Sequence, residues 1–243
     1  MKKGILLTAM VALLVFTVAT GAFAATVYFD YTVGGKEKQD TDWSYTSSSF
    51  GDDSGSFSAK PALDQYLLGV EVPLDQFKVV VEYAKDKTEA TTDSDGDSVA
   101  ERKCTTYMIK GGYRLLQTDV FQLYGDLSYS SLKWDTSTNP KYSPIMIGVD
   151  GKYAISERMF VSGNLDYAVS GKLKTDMIET DSTDYMVFKV KYTYQLTKNL
   201  NAAVGYTWSK MKYKFSSTSV GFTSDSSLTS TDTGFTLGVT YNF

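Results

Sequence analysis

The side chains of this sequence that are able to do chemistry are carboxylates, lysines and phenols. Its 243 residues include 24 Lys and Arg, 28 Asp and Glu and 18 Tyr, but no His and a single Cys. Without an imidazole, every mechanism that relies on a histidine base or ligand is excluded. One Cys forms neither an internal disulfide nor a Cys-rich zinc site. A net charge of −4 argues against a nucleic-acid partner, which needs a basic face. Twelve ionisable residues stand out by their spacing: Asp30, Glu71, Lys78, Glu82, Lys110, Arg114, Asp126, Asp150, Lys152, Asp166, Lys189 and Lys191. Each sits inside a segment whose alternate positions are uncharged. Six acids and six bases gathered on one side of a sheet sum to zero. Charges withdrawn from water must be paired, so the balance fits a self-neutralising plug of salt bridges. Lining a pore is the other use of such a set, although selective pores usually show a ring of one sign.

Other groups are less specific. Asp93-Ser94-Asp95-Gly96-Asp97 is like the start of a calcium loop, but Ser98 and Cys104 stand where the glycine and the closing glutamate belong. A solvated acidic loop is the expectation there, and for Asp52-Asp53 and Glu179, Asp181 and Asp184. No metal site or cofactor is expected. Lys210, Lys212 and Lys214 alternate, and Lys85 follows Tyr83 in a comparable place. Such lysines can hold phosphate groups or merely snorkel. Trp43, Tyr45, Phe50 and Phe57, and further along Tyr213, Phe215 and Phe222, lie among small polar residues. Rings in that setting serve recognition or bury one another. Cys104 has no partner and is given no redox role.

The elements that carry these residues are strands. Apolar residues alternate through ten segments, from Val27-Phe29-Tyr31-Val33 to Phe235-Leu237-Val239-Tyr241-Phe243, and no helical period of useful length occurs. The 49 apolar-face positions hold no charge, where a chain that is 21% charged would place about ten. Alternation alone also describes a soluble barrel with an apolar interior. Four features favour the inverse, membrane arrangement. Strands of about nine to eleven residues span roughly 23 Å when tilted, close to an outer-membrane apolar band. Tight connections, such as Pro73-Leu74-Asp75-Gln76 and Leu196-Thr197-Lys198-Asn199, alternate without exception with long ones, such as Gly34–Pro61 and Lys210–Asp232. Aromatics bracket the apolar stretches, with Tyr83, Tyr129, Tyr167 and Trp208 at the long-loop end and Phe77, Tyr113, Phe121, Tyr153 and Tyr194 at the other. Finally, twelve ionisable groups are too many for the outside of a soluble sheet with a wholly apolar interior.

Lys2 and Lys3, an apolar run from Ile5 to Val18 and Ala22-Phe23-Ala24 make a secretory leader expected to be cleaved before Ala25. The domains are therefore residues 1–24, a signal peptide, and 25–243, one barrel. Losing Lys2 and Lys3 leaves 22 basic against 28 acidic residues, a charge of −6.

The ending Phe235-Thr236-Leu237-Gly238-Val239-Thr240-Tyr241-Asn242-Phe243 resembles the closing strand of Gram-negative outer-membrane β-barrel proteins. In size the chain is similar to the small porin-family, OmpA-like and opacity-type barrels. The resemblance implies that Tyr241 and Phe243 are the signal for the barrel assembly machinery. The histidine-dependent barrel enzymes are not implied, because the chain has no His.

The expected fold is an all-β, ten-stranded antiparallel up-and-down transmembrane barrel, with eight strands as the alternative count. It belongs in the outer membrane of a Gram-negative bacterium, as a monomer. Its lipid-facing wall meets membrane lipid, and Lys85, Lys210, Lys212 and Lys214 contact lipopolysaccharide. An extracellular partner would be met through the loops. The expected role is non-enzymatic, structural or adhesin-like, and the alternative is a narrow porin-like passive channel.

Overall fold

The structure, a computed structural model, describes residues 24–47, 51–92, 98–136, 139–175, 179–180, 183–219 and 222–243. Residues 1–23 of the expected leader 1–24 and the acidic run 93–97 lie outside the described residues.

Ten long strands form the wall: β1 (Thr26–Ser47), β2 (Ala62–Leu74), β3 (Phe77–Thr88), β4 (Arg102–Gln117), β5 (Phe121–Asp135), β6 (Ile145–Ser156), β7 (Met159–Ser170), β8 (Thr183–Gln195), β9 (Leu200–Ser219) and β10 (Phe222–Asn242). Each pairs antiparallel with its neighbours in sequence, and β10 pairs with β1 to close the ring. Closure leaves no open edge in the apolar band, which is what permits strands to cross lipid. The ten-strand count therefore stands against the eight-strand alternative.

Alternation decides the two faces. Phe235 is 67% exposed, Leu127 59% and Leu115 58%, all on the outer face. Lys78, Lys110 and Asp166 on the inner face are 5% exposed or less. A soluble barrel would reverse this. Val70 and Val72 depart from the pattern: they are covered, packed with Ala25 and Val27. Aromatic rings meet along both rims. Tyr66, Tyr83 and Tyr107 form a chain of contacts on the upper rim, with centroids 6.3 and 5.3 Å apart. Phe77 meets Tyr113 at 5.2 Å on the lower rim, and Tyr241 meets Phe243 at 4.9 Å.

The tight turns are closed by their own side chains. Thr118 Oγ1 accepts from the backbone N–H groups of Val120 and Phe121, and Thr197 Oγ1 accepts from those of Asn199 and Leu200. Asp75 takes a positive φ of 54° in the β2–β3 turn, a conformation aspartate tolerates.

The expected strand lengths are corrected upward. β1 has 22 residues, β9 has 20 and β10 has 21. Much of the supposed first and fifth loops is ladder that continues beyond the membrane, and the strand Gly51–Ala59 adds to it by pairing with β1. Above the lipid both faces meet polar surroundings, so the apolar alternation ends while the hydrogen-bonded ladder continues.

A bulge at Gly34-Gly35 sets the register of that extension. The pairing with β10 shifts between Val33 and Lys36, and Gly34 takes φ 62°. A Cβ on Gly35 would lie 2.3 Å from the Leu63 carbonyl oxygen. One extra residue inverts the face of everything beyond it. Asp30 and Thr32 face inward below the bulge, and Glu37 and Gln39 do so above it.

Candidate functional site

The lumen contains three layers. In the lowest, at membrane depth, Lys110 Nζ lies 2.8 and 3.1 Å from the two Asp166 carboxylate oxygens and 3.7 Å from Asp126 Oδ2. Lys78 pairs with Asp150 at 2.7 Å, and Lys189 with Glu82 at 3.2 Å. Lys191 pairs with Asp30. Tyr28 donates to Glu82 Oε1 at 2.7 Å, and Lys191 Nζ sits 5.2 Å from the centre of that ring. Lys78 and Lys152 lie over Tyr124 and Phe160, at 4.6 and 3.9 Å.

Nine of the twelve expected lumen residues are thus ion-paired with one another. Arg114 turns instead to the exposed Asp75 in the lower turn, at 3.7 Å. Glu71 and Lys152 form no ion pair among the described residues. Asp126 has no hydrogen bond to either carboxylate oxygen, and neither has the buried Ser128 hydroxyl beside it.

The middle layer lies above the upper aromatic rim. Glu37 is 1% exposed and fully engaged: it pairs with Arg102 and accepts from Gln39 Nε2 at 3.0 Å, Thr88 Oγ1 at 2.8 Å and Ser230 Oγ at 2.6 Å. Asp86 accepts from Gln65 Nε2 at 2.8 Å. Asp232 accepts from Ser209 at 3.1 Å, and the Ser230 hydroxyl that serves Glu37 lies 3.4 Å from it. Asp86 and Asp232 line one cavity of about 140 Å³ together with Arg102, Tyr185 and Met211. Burial pushes the Asp86 carboxyl up to about 6, partly opposed by the Gln65 hydrogen bond. Burial and the neighbouring Asp86 charge do the same to Asp232, also to about 6. Burial raises the Cys104 thiol to about 12, which leaves it unreactive at neutral pH.

Apolar side chains make the top layer. Cys104, Leu132, Tyr142, Leu173 and Met211 are buried together, with Trp134, Tyr185 and Tyr213 against them. Two short loop strands, Lys141–Tyr142 and Leu173–Lys174, pair with each other, and the first of them also pairs with β5. They bring Tyr142, wholly buried, edge-on to Tyr185 at 5.9 Å. Tyr213, grouped above with the outer-loop aromatics, belongs to this inner cluster.

Outside the wall, Lys85, Lys210, Lys212 and Lys214 occupy outward positions above the upper rim, because Ala84, Asp86, Met211 and Tyr213 between or beside them face inward. Trp43 stacks on Tyr45, with centroids 6.1 Å apart and planes 8° from parallel. Among the described residues no group of His, Cys, Asp or Glu is arranged to hold a metal ion.

Glu37, Asp86, Arg102 and Asp232 were not legible as lumen residues. Each lies in what reads as a loop. Gly34-Gly35, a glycine pair inside an alternating run, is the one available signal that a strand continues with changed parity.

Comparison with known proteins agrees with this architecture. No characterised protein sequence matches the chain. The crystal structure of the outer membrane protease OmpT from Escherichia coli superposes with a TM-score of 0.55 at 12% identity, over 90% of this chain and 97% of that one. That likeness concerns the fold. The translocator domain of the autotransporter NalP from Neisseria meningitidis (11% identity, 99% and 97% covered, TM-score 0.37) and Ail of Yersinia pestis (9%, 91% and 99%, 0.29) superpose more loosely. The sequence profile of the outer membrane protein beta-barrel domain matches residues 121–243, slightly more than half of the chain and six of its ten strands in full. With a closed ten-stranded wall, a bare apolar outer face and that match, the chain belongs to the outer membrane protein beta-barrel domain family, in the outer membrane of a Gram-negative bacterium.

Proposed function

We propose that this protein is a non-enzymatic, non-conducting surface barrel with a structural or adhesin-like role. The observation that carries the reading is the ion-paired lumen, where the cavity running between the layers measures only about 140 Å³. Lys110 is locked between Asp126 and Asp166, with the Lys78, Lys189 and Lys191 pairs around it, and the apolar Tyr142 cluster packs above them. Ten strands leave an interior little wider than side chains can fill. The wall above the membrane offers polar ladder and the stacked Trp43 and Tyr45 as contact surface. Tyr241 and Phe243, exposed on the lower rim, fit the role of an assembly signal. Against a protease-like reading stands the absence of any histidine.

The experiment is conductance of the purified protein in a planar bilayer, joined to binding of displaying cells to host or envelope surfaces. The expected result is no steady single-channel current, together with binding that is lost when residues 51–59 are shortened to a tight turn. Steady currents that change in Lys110→Ala or Asp126→Asn would return the narrow-channel reading.

A further inference from the structure

Strand register assembles a basic, hydroxyl-lined patch on the outer wall that the linear sequence disperses over two ends of the chain. Met211, Ser230 and Glu37 are buried on the inner side, so their neighbours in β9, β10 and β1 face outward. Three outward rows result. Trp208 pairs with Thr233 and Thr233 with Lys36; Lys210 pairs with Thr231 and Thr231 with Lys38; Lys212 pairs with Thr229 and Thr229 with Asp40. A column of three threonines is thereby flanked by Lys36 and Lys38 on one side and by Lys210 and Lys212 on the other, with Trp208 and Asp40 completing the lowest and highest rows. The Gly34-Gly35 bulge is what turns Lys36 and Lys38 outward.

The acids nearby leave the patch basic. Asp40 is held by Lys38 at 2.7 Å and by Ser58 at 2.8 Å. Asp184 stands beside Lys212 across the β8–β9 ladder. Among the described residues Lys36, Lys210 and Lys212 form no ion pair.

Directly below, Phe235 is 67% exposed and packs edge-on against Tyr206 at 5.7 Å. The patch is therefore continuous with the wall that meets acyl chains. A ligand that satisfies both surfaces carries acyl chains below and phosphate above. We infer that the β9–β10–β1 face binds one phosphorylated lipid of the outer leaflet, of the lipid A class, its phosphates held by Lys36, Lys210 and Lys212 with the threonine hydroxyls between them. This goes beyond the filled-lumen reading and does not depend on it.

The test is native mass spectrometry of the detergent-purified protein titrated with diphosphoryl lipid A, with dephosphorylated lipid A, and with inorganic phosphate as competitor. Diphosphoryl lipid A is expected to bind about tenfold or more tightly than the dephosphorylated form. That preference disappears in Lys36→Gln/Lys210→Gln/Lys212→Gln and survives in Lys198→Gln, whose lysine lies in a lower turn. Folding of each variant is checked by heat-modifiable migration on a gel. Should the triple variant fail to fold, Lys210→Gln alone lowers the preference several-fold. Equal binding of the two lipids, an unchanged preference in the lysine variants, or full displacement by inorganic phosphate overturns the inference.

Discussion

Lys110 is the single residue on which the lumen depends most. Its ammonium serves Asp166 and Asp126 together, by hydrogen bonds to the first and by a 3.7 Å ion pair to the second, whose carboxylate has no hydrogen bond. Truncating one partner of a buried pair leaves an uncompensated charge, which costs about 3–5 kcal/mol. Lys110→Met is expected to destabilise the folded barrel by that amount, measured by urea unfolding in lipid vesicles; a loss below about 1 kcal/mol would show that the layer is hydrated and not a plug. Asp86 and Asp232 make a second residue-scale prediction. Both lie above the membrane span with carboxyls raised to about 6 from an ordinary 3.8. The folded state holds these protons more tightly than the unfolded chain. Their stabilising contribution is full below about pH 4 and is lost as pH rises through about 6. Unfolding followed from pH 4 to 7.5 should show stability falling over that window, and Asp86→Asn/Asp232→Asn should flatten the fall.

At the scale of elements, the decisive feature is β1. Below its bulge it contributes the lipid-facing Phe29 and Tyr31, and above it the buried Glu37. Glu37 then draws hydroxyls from β3 and β10, the amide of Gln39 in its own strand and the guanidinium of β4. Gly35→Val places a branched side chain where a Cβ already lies 2.3 Å from the Leu63 carbonyl oxygen. The substitution is expected to cost about 1–3 kcal/mol and to open the upper ladder. Limited proteolysis should then cut within residues 36–62 while heat-modifiable migration is retained. Resistance equal to the unaltered protein would mean that the register above the membrane is set elsewhere.

For the whole molecule, closure and filling act together. The seam between β10 and β1 runs from Thr26 opposite Asn242 to Ser47 opposite Phe222, so the first and last strands hold each other along nearly their full length. The final N–H, of Phe243, donates to the Ala25 carbonyl at 2.9 Å. On the proposed reading a ring closed at that seam and crossed by three side-chain layers is expected to pass no steady current along its axis, and the bilayer recording proposed above tests this property of the entire wall.

The sequence by itself determined the class and the apolar-outside arrangement of the wall, and it indicated ten strands, with eight as an alternative that only the closed ring removed. These follow from a period of two with charges admitted on one face only, and from short turns alternating with long connections. Each of those is a local pattern that the lipid solvent imposes on every strand separately. It also indicated most of the lower lumen set, because at membrane depth inward and outward positions differ in polarity. Which acid pairs with which base was decided only by the tertiary structure, since partners such as Lys191 and Asp30 come from strands far apart in the chain. Above the lipid the polarity contrast vanishes, and with it the signal. The length of β1, β9 and β10 and the inward turn of Asp86, Arg102 and Asp232 depend on how far each ladder continues, while the inward turn of Glu37 and the meeting of Lys36 with Lys210 around Thr231 and Thr233 depend on the bulge that resets the register of β1.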